Sequence, residues 1–365
     1  MLPSTPAYKL ALPLTHRREH TFVVRTTDGE ILTESPVPIG GGVVQAQLTS
    51  RVSRTATFTA SDEWFPVADD DPLSPYHAIV EISAGIGYPT GEREVFPVFT
   101  GRVYNARRSA AGLVTFRADD LAADVIAAAF ERPVNSQPGR SVIAEMERLI
   151  LDAFPWATFG THDVTDAVVP RLTWDEDPGK ALDDLAAVVG GRWFTLGNGD
   201  FVFRRYAYSD LTPVANLTDG PTGLLSSVDL EVTADDSYNA VVVTAERADS
   251  TDPIRVVARD DNFLSPSFYG GRFGKRTRQV RAQSASTIAD AQLLAAAQLN
   301  ASTALSRQAT IVAVPDMTLE PGDVTGIEWR GVRDVHAIDS MTYPLDPTTG
   351  MSINTRSAVL ASVSI

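Results

Sequence analysis

The sequence reads as a β-rich α+β protein, with two barrel-like antiparallel β regions joined by a small α/β insert. Three observations carry that reading. Short alternating segments punctuated by glycine and proline fill residues 1–118 and return from about residue 216. Helix-period patterning with capping residues is confined to 119–215. One long alanine-rich helical stretch, 285–304, sits between strands of the second β region.

In the first region, 21–26 is a strand ended by Asp28-Gly29, a strong turn pair. Gly40-Gly41-Gly42 opens the alternating run 43–48, and strands follow at 52–59, 77–83, 95–105 and 113–117, the last closing a hairpin over Ala110-Ala111-Gly112. No helix is expected before Asp119. In the insert, Asp119 or Asp120 caps a helix to about residue 130. Ser141 caps a second, whose stripe is Val142, Met146, Leu149 and Ala153 with Ile143, Ile150 and Phe154 beside it. Asp177 caps a third, Pro178 fits its first turn, and Gly190-Gly191 stop it. A hairpin, 193–196 with 201–205, folds over 197–200. In the second region, strands at 228–233, 239–246, 254–259 and 275–282 lead to the helix 285–304, and 306–314, 323–329, 335–342 and 353–363 complete the set. Pro321 presets φ for the turn 319–323, Gly322 takes its strained position, and Asp323 bonds turn backbone. The expected division is 1–118, 119–215, 216–345 and a C-terminal strand or extension, 346–365. In the long helix Ile288, Ala291, Ala295 and Leu299 mark the face expected to pack on the second barrel.

A chain of 365 residues that is 44% hydrophobic suffices for the cores of two or three domains. It has no cysteine, which excludes disulfides, thiolate metal sites and a cysteine nucleophile. The apolar patch 10–14 is too short, and in the wrong charge order, for a secretory leader. No stretch approaches the roughly twenty apolar residues of a spanning helix, so no membrane insertion is expected. The net charge is −15. Acidic and basic residues number 12 and 11 in 1–118, 16 and 8 in 119–215, and 18 and 12 in 216–365. That balance disfavours wrapping nucleic acid. It suits a surface past which DNA slides, and equally the solubility of an ordinary acidic protein.

No pattern specifies chemistry, so no catalytic, cofactor or metal site is expected. Asp69-Asp70-Asp71 lacks the alternation, glycine and distal glutamate of a calcium loop and reads as a solvated loop. Asp175-Glu176-Asp177 complements a helix dipole. Asp183-Asp184 and Asp235-Asp236 have no spacing that specifies a catalytic pair. His16 and His20 have helical spacing in a non-helical lead-in, and His77, His162 and His336 fall in no metal motif. The glycines of 85–91 miss dinucleotide spacing and read as a hairpin loop. One basic cluster stands out: Arg272, Lys275, Arg276, Arg278 and Arg281. On a strand, Arg276 and Arg278 share one face and Lys275 and Arg281 the other. This favours subunit contacts over a nucleic-acid stripe, with a merely solvated strand as the other reading.

The ordered run of a helix between antiparallel strands, then Val314-Pro315, Leu319, Pro321-Gly322-Asp323-Val324, resembles the bacteriophage tail-hub (baseplate or tail-tip hub) family. The loop containing Asp260, Asn262, Phe263, Leu264, Pro266, Tyr269 and Gly270-Gly271 is similar to its counterpart in hubs of actinobacterial phages, as are Trp174, the Pro178-led helix and the hairpin over 197–200. The resemblance implies two tail-tube-like barrels per chain and a homotrimer forming a pseudo-sixfold ring that caps or continues the tail tube. The partners it implies are the tail tube or distal tail protein, the tape-measure protein and other tail-tip proteins, with DNA passing through unbound. It places the protein in the virion tail after assembly in the host cytoplasm, and implies a structural role rather than an enzymatic one. The alternatives are a tail-associated cell-wall hydrolase, which needs paired carboxylates or a metal, and a receptor- or carbohydrate-binding tip protein, which needs exposed aromatic platforms.

Overall fold

The first β region opens, against expectation, on a helix. The computed structural model describes residues 1–33, 39–205, 211–233, 237–245, 253–282, 287–303 and 306–357. Helix α1 (Pro6–Ala11) is capped by the Thr5 hydroxyl, which accepts from the Tyr8 amide, and has proline in its first turn. Six residues are too few for an amphipathic period to register. Tertiary packing supports the helix instead: Tyr8 is fully buried, and its hydroxyl accepts from the Met317 amide at 3.0 Å.

Seven strands follow: β1 (Arg17–Arg25), β2 (Ile31–Thr33), β3 (Ile39–Gln47), β4 (Arg54–Ser61), β5 (Ile79–Gly87), β6 (Arg93–Arg108) and β7 (Leu113–Asp120). Period-two alternation sends Ala56, Phe58 and Ala60 of β4 into the core. There Phe58 stacks on Phe116 at 5.1 Å and meets Phe22 edge-on at 5.3 Å. The glycines of 85–91 lie on the β5–β6 hairpin. Gly85 is obligatory, because a Cβ there would meet the Glu94 carbonyl oxygen at 1.9 Å.

The insert carries α2 (Ala122–Ala127), β8 (Val134–Asn135), α3 (Val142–Ala153), β9 (Thr173–Trp174), α4 (Pro178–Val188) and the hairpin β10 (Gly191–Thr195) with β11 (Phe201–Arg205). Ser141 and Asp177 cap α3 and α4, accepting from the amides of Ala144 and Lys180 at 3.1 and 3.0 Å. Ser141→Ala should cost about 1 kcal/mol of stability, read as a lower urea midpoint at unchanged slope. An unchanged midpoint would show that water replaces the cap. The helices bury Met146, Leu149, Ile150, Leu182 and Leu185 against Phe201 and Phe203 of the hairpin.

The second β region comprises β12 (Ala215–Thr218), β13 (Leu225–Thr233), β14 (Ala240–Ala245), β15 (Ile254–Arg259), β16 (Thr277–Ala282), α5 (Ile288–Thr303), β17 (Ser306–Ala313), β18 (Val324–Trp329), β19 (Val332–Pro344) and β20 (Met351–Ser357). Among the described residues, thirteen strands form one mainly antiparallel sheet, ordered β13-β17-β20-β19-β3-β4-β7-β6-β5-β1-β2, with β18 branching from β19 and β12 pairing β18 in parallel. The β-rich, mainly antiparallel character is as expected. No sheet closes on itself among the described residues. The two β regions are instead joined edge to edge, Tyr343 of β19 opposite Val44 of β3, over a core shared by Phe58, Phe116, Ile338, Met341 and Ile353.

Helix α5 packs on a separate three-stranded sheet, β15-β14-β16, rather than on the strands of the large sheet. Central β14 supplies Val241 and Val243, and the helix answers with Ala291, Ala295 and Leu299, all essentially buried. Ile288 does not join them: it is 52% exposed, while Leu294 is buried. The contact face is therefore rotated toward Leu294, where small alanines let helix and sheet approach closely. Residues 285, 286 and 304 of the expected helix lie outside the described residues. No helix among them is long and apolar enough to cross a membrane.

Candidate assembly surface and the polar junction behind it

Where the three sequence segments meet, the core is polar. Arg54 of β4 is 2% exposed and shares inward parity with Ala56 and Phe58. Its guanidinium donates to the carbonyls of Val98 (2.9 Å) and Thr195 (3.3 Å), pairs with the Glu320 carboxylate, and lies 5.7 Å from the Tyr343 ring centre. Asp120, at the end of β7, is fully buried and accepts from the hydroxyls of Ser53 and Thr195 (both 2.7 Å) and the amides of Arg54 (2.8 Å) and Ala122 (3.2 Å). Burial pulls the Arg54 pKa down, but Glu320 and Tyr343 beside it more than reverse this, so it stays a cation. Burial pushes the Asp120 carboxyl up, against the hydrogen bonds from Thr195, Ser53 and Arg54. Buried ions persist only when paired and hydrogen-bonded, and here the partners come from all three segments.

The turn at 319–323 positions Glu320. Gly322 takes φ +94°, as a type II turn requires after Pro321. The Asp323 carboxylate accepts from the Glu320 amide at 2.8 Å, the Gly322 amide donates to the Ile338 carbonyl at 2.8 Å, and the Tyr343 hydroxyl donates to the Leu319 carbonyl at 2.7 Å. Sequence reasoning found this turn; it expected Asp119 or Asp120 to cap a helix, whereas α2 starts after Leu121 with no side-chain cap, and Asp120 turns into the junction instead. The same reasoning passed over Arg54, although a charged residue at an inward position of a cleanly alternating strand is the available signal.

The acidic runs are occupied by local structure. Asp71 accepts from the amides of Val67 (2.6 Å) and Ala68 (2.8 Å), and hydrogen bonds from Ala68 and Val67 hold its pKa low. Asp183 and Asp184 face different indoles, Trp193 at 2.8 Å and Trp174 at 3.1 Å, and pair with Arg51 and Lys180 respectively. Asp177 caps α4 and pairs with Arg51 at 3.0 Å. The buried ring of His336 meets Thr355 at 2.9 Å, and the half-buried ring of His162 stacks on Phe203 at 4.3 Å. Asp235 and Asp236 lie outside the described residues. Among the described residues no group of three or more His, Cys, Asp or Glu is arranged to hold a metal ion.

The basic cluster lies on the small sheet under α5. Arg272, Lys275, Arg276, Arg278 and Arg281 are all exposed. Only Arg278 and Arg281 are in β16, which starts at Thr277, so Lys275 and Arg276 belong to the preceding loop and strand parity does not fix their faces. Register places Arg255 of β15 and Arg281 of β16 on either side of Thr244, and Arg259 opposite Ala240, all on the side facing away from α5. Arg259 and Lys275 lie 4.9 and 5.4 Å from the Tyr269 ring centre, and Arg276 lies 4.9 Å from that of Phe273. Aromatic rings thus fix the positions of cations that also face solvent. Such a surface suits recognition of an acidic macromolecule.

The sequence matches no protein-family model and no curated protein. Its fold is similar to that of solved tail proteins, two of them from prophages. A tail protein from Neisseria meningitidis MC58 superposes with a TM-score of 0.67 at 16% identity, over 94% of this chain and 98% of that one. The 43 kDa tail protein of prophage MuSo2 from Shewanella oneidensis gives 0.62 at 15% identity, over 92% and 98%. A prophage tail protein from Listeria monocytogenes EGD-e gives 0.55 at 11% identity, over 92% and 94%. At these identities the likeness is one of fold.

Proposed function

We propose that this chain is a structural subunit of a phage tail hub, of the kind found in actinobacterial phages. Three copies form a ring that caps or continues the tail tube and adapts it to the tail tip. The observation that carries the reading is a fold shared with tail proteins over nearly the whole of both chains. The joined sheet and its polar junction support it, because a conduit needs β regions held at a fixed mutual angle. In this reading 1–118 and 216–345 are the two tube-like units, 119–215 braces them, and 346–365 extends the second. The ring contacts the tube or distal tail protein, the tape-measure protein and other tip proteins. DNA passes without being held, since a chain of net −15 offers little for phosphates to grip.

Native mass spectrometry of the purified chain tests this directly. The expected species is three times 39.3 kDa, about 118 kDa. A stable monomer in assembled particles would overturn the ring. Charge mapped on the assembled ring tests the passage reading, in which the inner wall is acidic or neutral. A lumen lined chiefly by Arg272, Lys275, Arg276, Arg278 and Arg281 would instead mean that DNA is gripped.

A further inference from the structure

We infer that the loop 260–276 of one copy docks on the C-terminal end of α3 in the next copy, with Phe263 and Leu264 as apolar anchors. The inference rests on the ring reading above and names the two surfaces that would close the ring.

Phe263 and Leu264 are each 77% exposed, adjacent, and at the tip of the loop. Exposed apolar side chains on a pliant loop would mean little, but this loop is built. The Asp260 carboxylate accepts from the hydroxyls of Ser265 and Ser267, both at 2.6 Å, and from the Asn262 amide at 3.2 Å. Asn262 accepts from the Leu264 amide at 3.1 Å, and the Tyr269 amide closes the base onto the Asp260 carbonyl at 2.9 Å. Fully buried Asn239 ties the far side, donating to the Gly274 carbonyl at 2.6 Å and accepting from the Arg276 amide at 2.8 Å. The anchors are presented in a fixed geometry, so little ordering entropy remains to be lost on association.

Charge selects the occupant. Segment 253–282 holds seven basic and two acidic residues inside a chain of net −15, so its complement is an acidic surface with an apolar centre. The insert of the same chain has that character, with 16 acidic against 8 basic residues in 119–215. At the end of α3, Leu151 is 41% and Trp156 53% exposed, Trp156 held edge-on to Phe154 at 6.0 Å. Glu147 stands one helical turn before Leu151, and exposed Asp152 follows it. A basic apolar surface and an acidic apolar one on the same chain make a head-to-tail contact, which closes into a ring under rotation. Aromatic anchors ringed by charge are the usual centre of such contacts.

The absence of cysteine makes the test clean. Phe263→Cys and Trp156→Cys each introduce a single thiol. Mixing the two variants under mild oxidation should give a disulfide-linked pair that neither gives alone at comparable yield. Leu264→Asp should raise the dissociation constant of the oligomer at least about tenfold, with the far-UV circular dichroism of the dissociated chain unchanged, because the site is exposed within one copy. An oligomer indifferent to Leu264→Asp, with no mixed disulfide, overturns this inference and leaves the ring intact. Efficient disulfide formation by Phe263→Cys alone would mean a symmetric contact and also overturns it. A monomer at every concentration overturns both this inference and the ring. Retention of duplex DNA at about 150 mM salt, lost in Arg255→Ala/Arg281→Ala, would assign the basic surface to nucleic acid instead.

Discussion

Arg54→Met is expected to cost about 3–5 kcal/mol, because it strands a buried carboxylate. The Glu320 side chain is 5% exposed, and its ion-pair partner among the described residues is the Arg54 guanidinium. The same substitution also removes donors from the carbonyls of Val98 and Thr195, which lie in different segments of the sequence. Arg54→Met/Glu320→Met should recover much of the loss, since the Glu320 carboxylate stranded by the single change is gone. Urea unfolding of the two single variants and the double variant completes the cycle. If Arg54→Met alone lowered stability by less than about 1 kcal/mol, the junction would not be what fixes the β regions to the insert.

Ala295→Arg should be comparably severe. Ala295 is fully buried between α5 and Val241, Val243 and Ile254. An arginine there both overpacks the contact and buries a cation, a loss of about 3 kcal/mol or more. Gln298→Arg, at a half-buried position on the same helix, should stay within about 0.5 kcal/mol. Soluble yield and melting temperature of the two variants decide the matter. Equal tolerance would show that α5 does not hold the small sheet in place.

What the sequence discloses divides along a physical line. Caps, turns and alternation act within a few residues, and they read well: Ser141, Asp177, the turn through Gly322 and the hairpin over 197–200. Pairing between distant strands has no local signature, so the β19–β3 seam that joins the two β regions could not be read. Helix α1 escaped because its six residues depend on Tyr8 packing against the main core. In the basic cluster the residue types and the opposite faces of Arg278 and Arg281 were legible, but the faces of Lys275 and Arg276 were not, because β16 begins two residues after Lys275. Arg255 and Arg259, on β15 across the central β14, join the surface only through sheet register.

The seam also governs how the molecule can be made. β3 finds its neighbour β19 only after most of the chain has left the ribosome, and the Arg54–Glu320 pair joins residues 266 positions apart. Closing contacts of such long range is slow, because loop entropy must be lost before the contacts form. Until then the β3 edge is an open strand with unpaired backbone groups, the usual starting point for misassembly. Folding is thus gated by synthesis of the C-terminal third, and chains truncated before residue 344 should collect as aggregates rather than as folded N-terminal fragments.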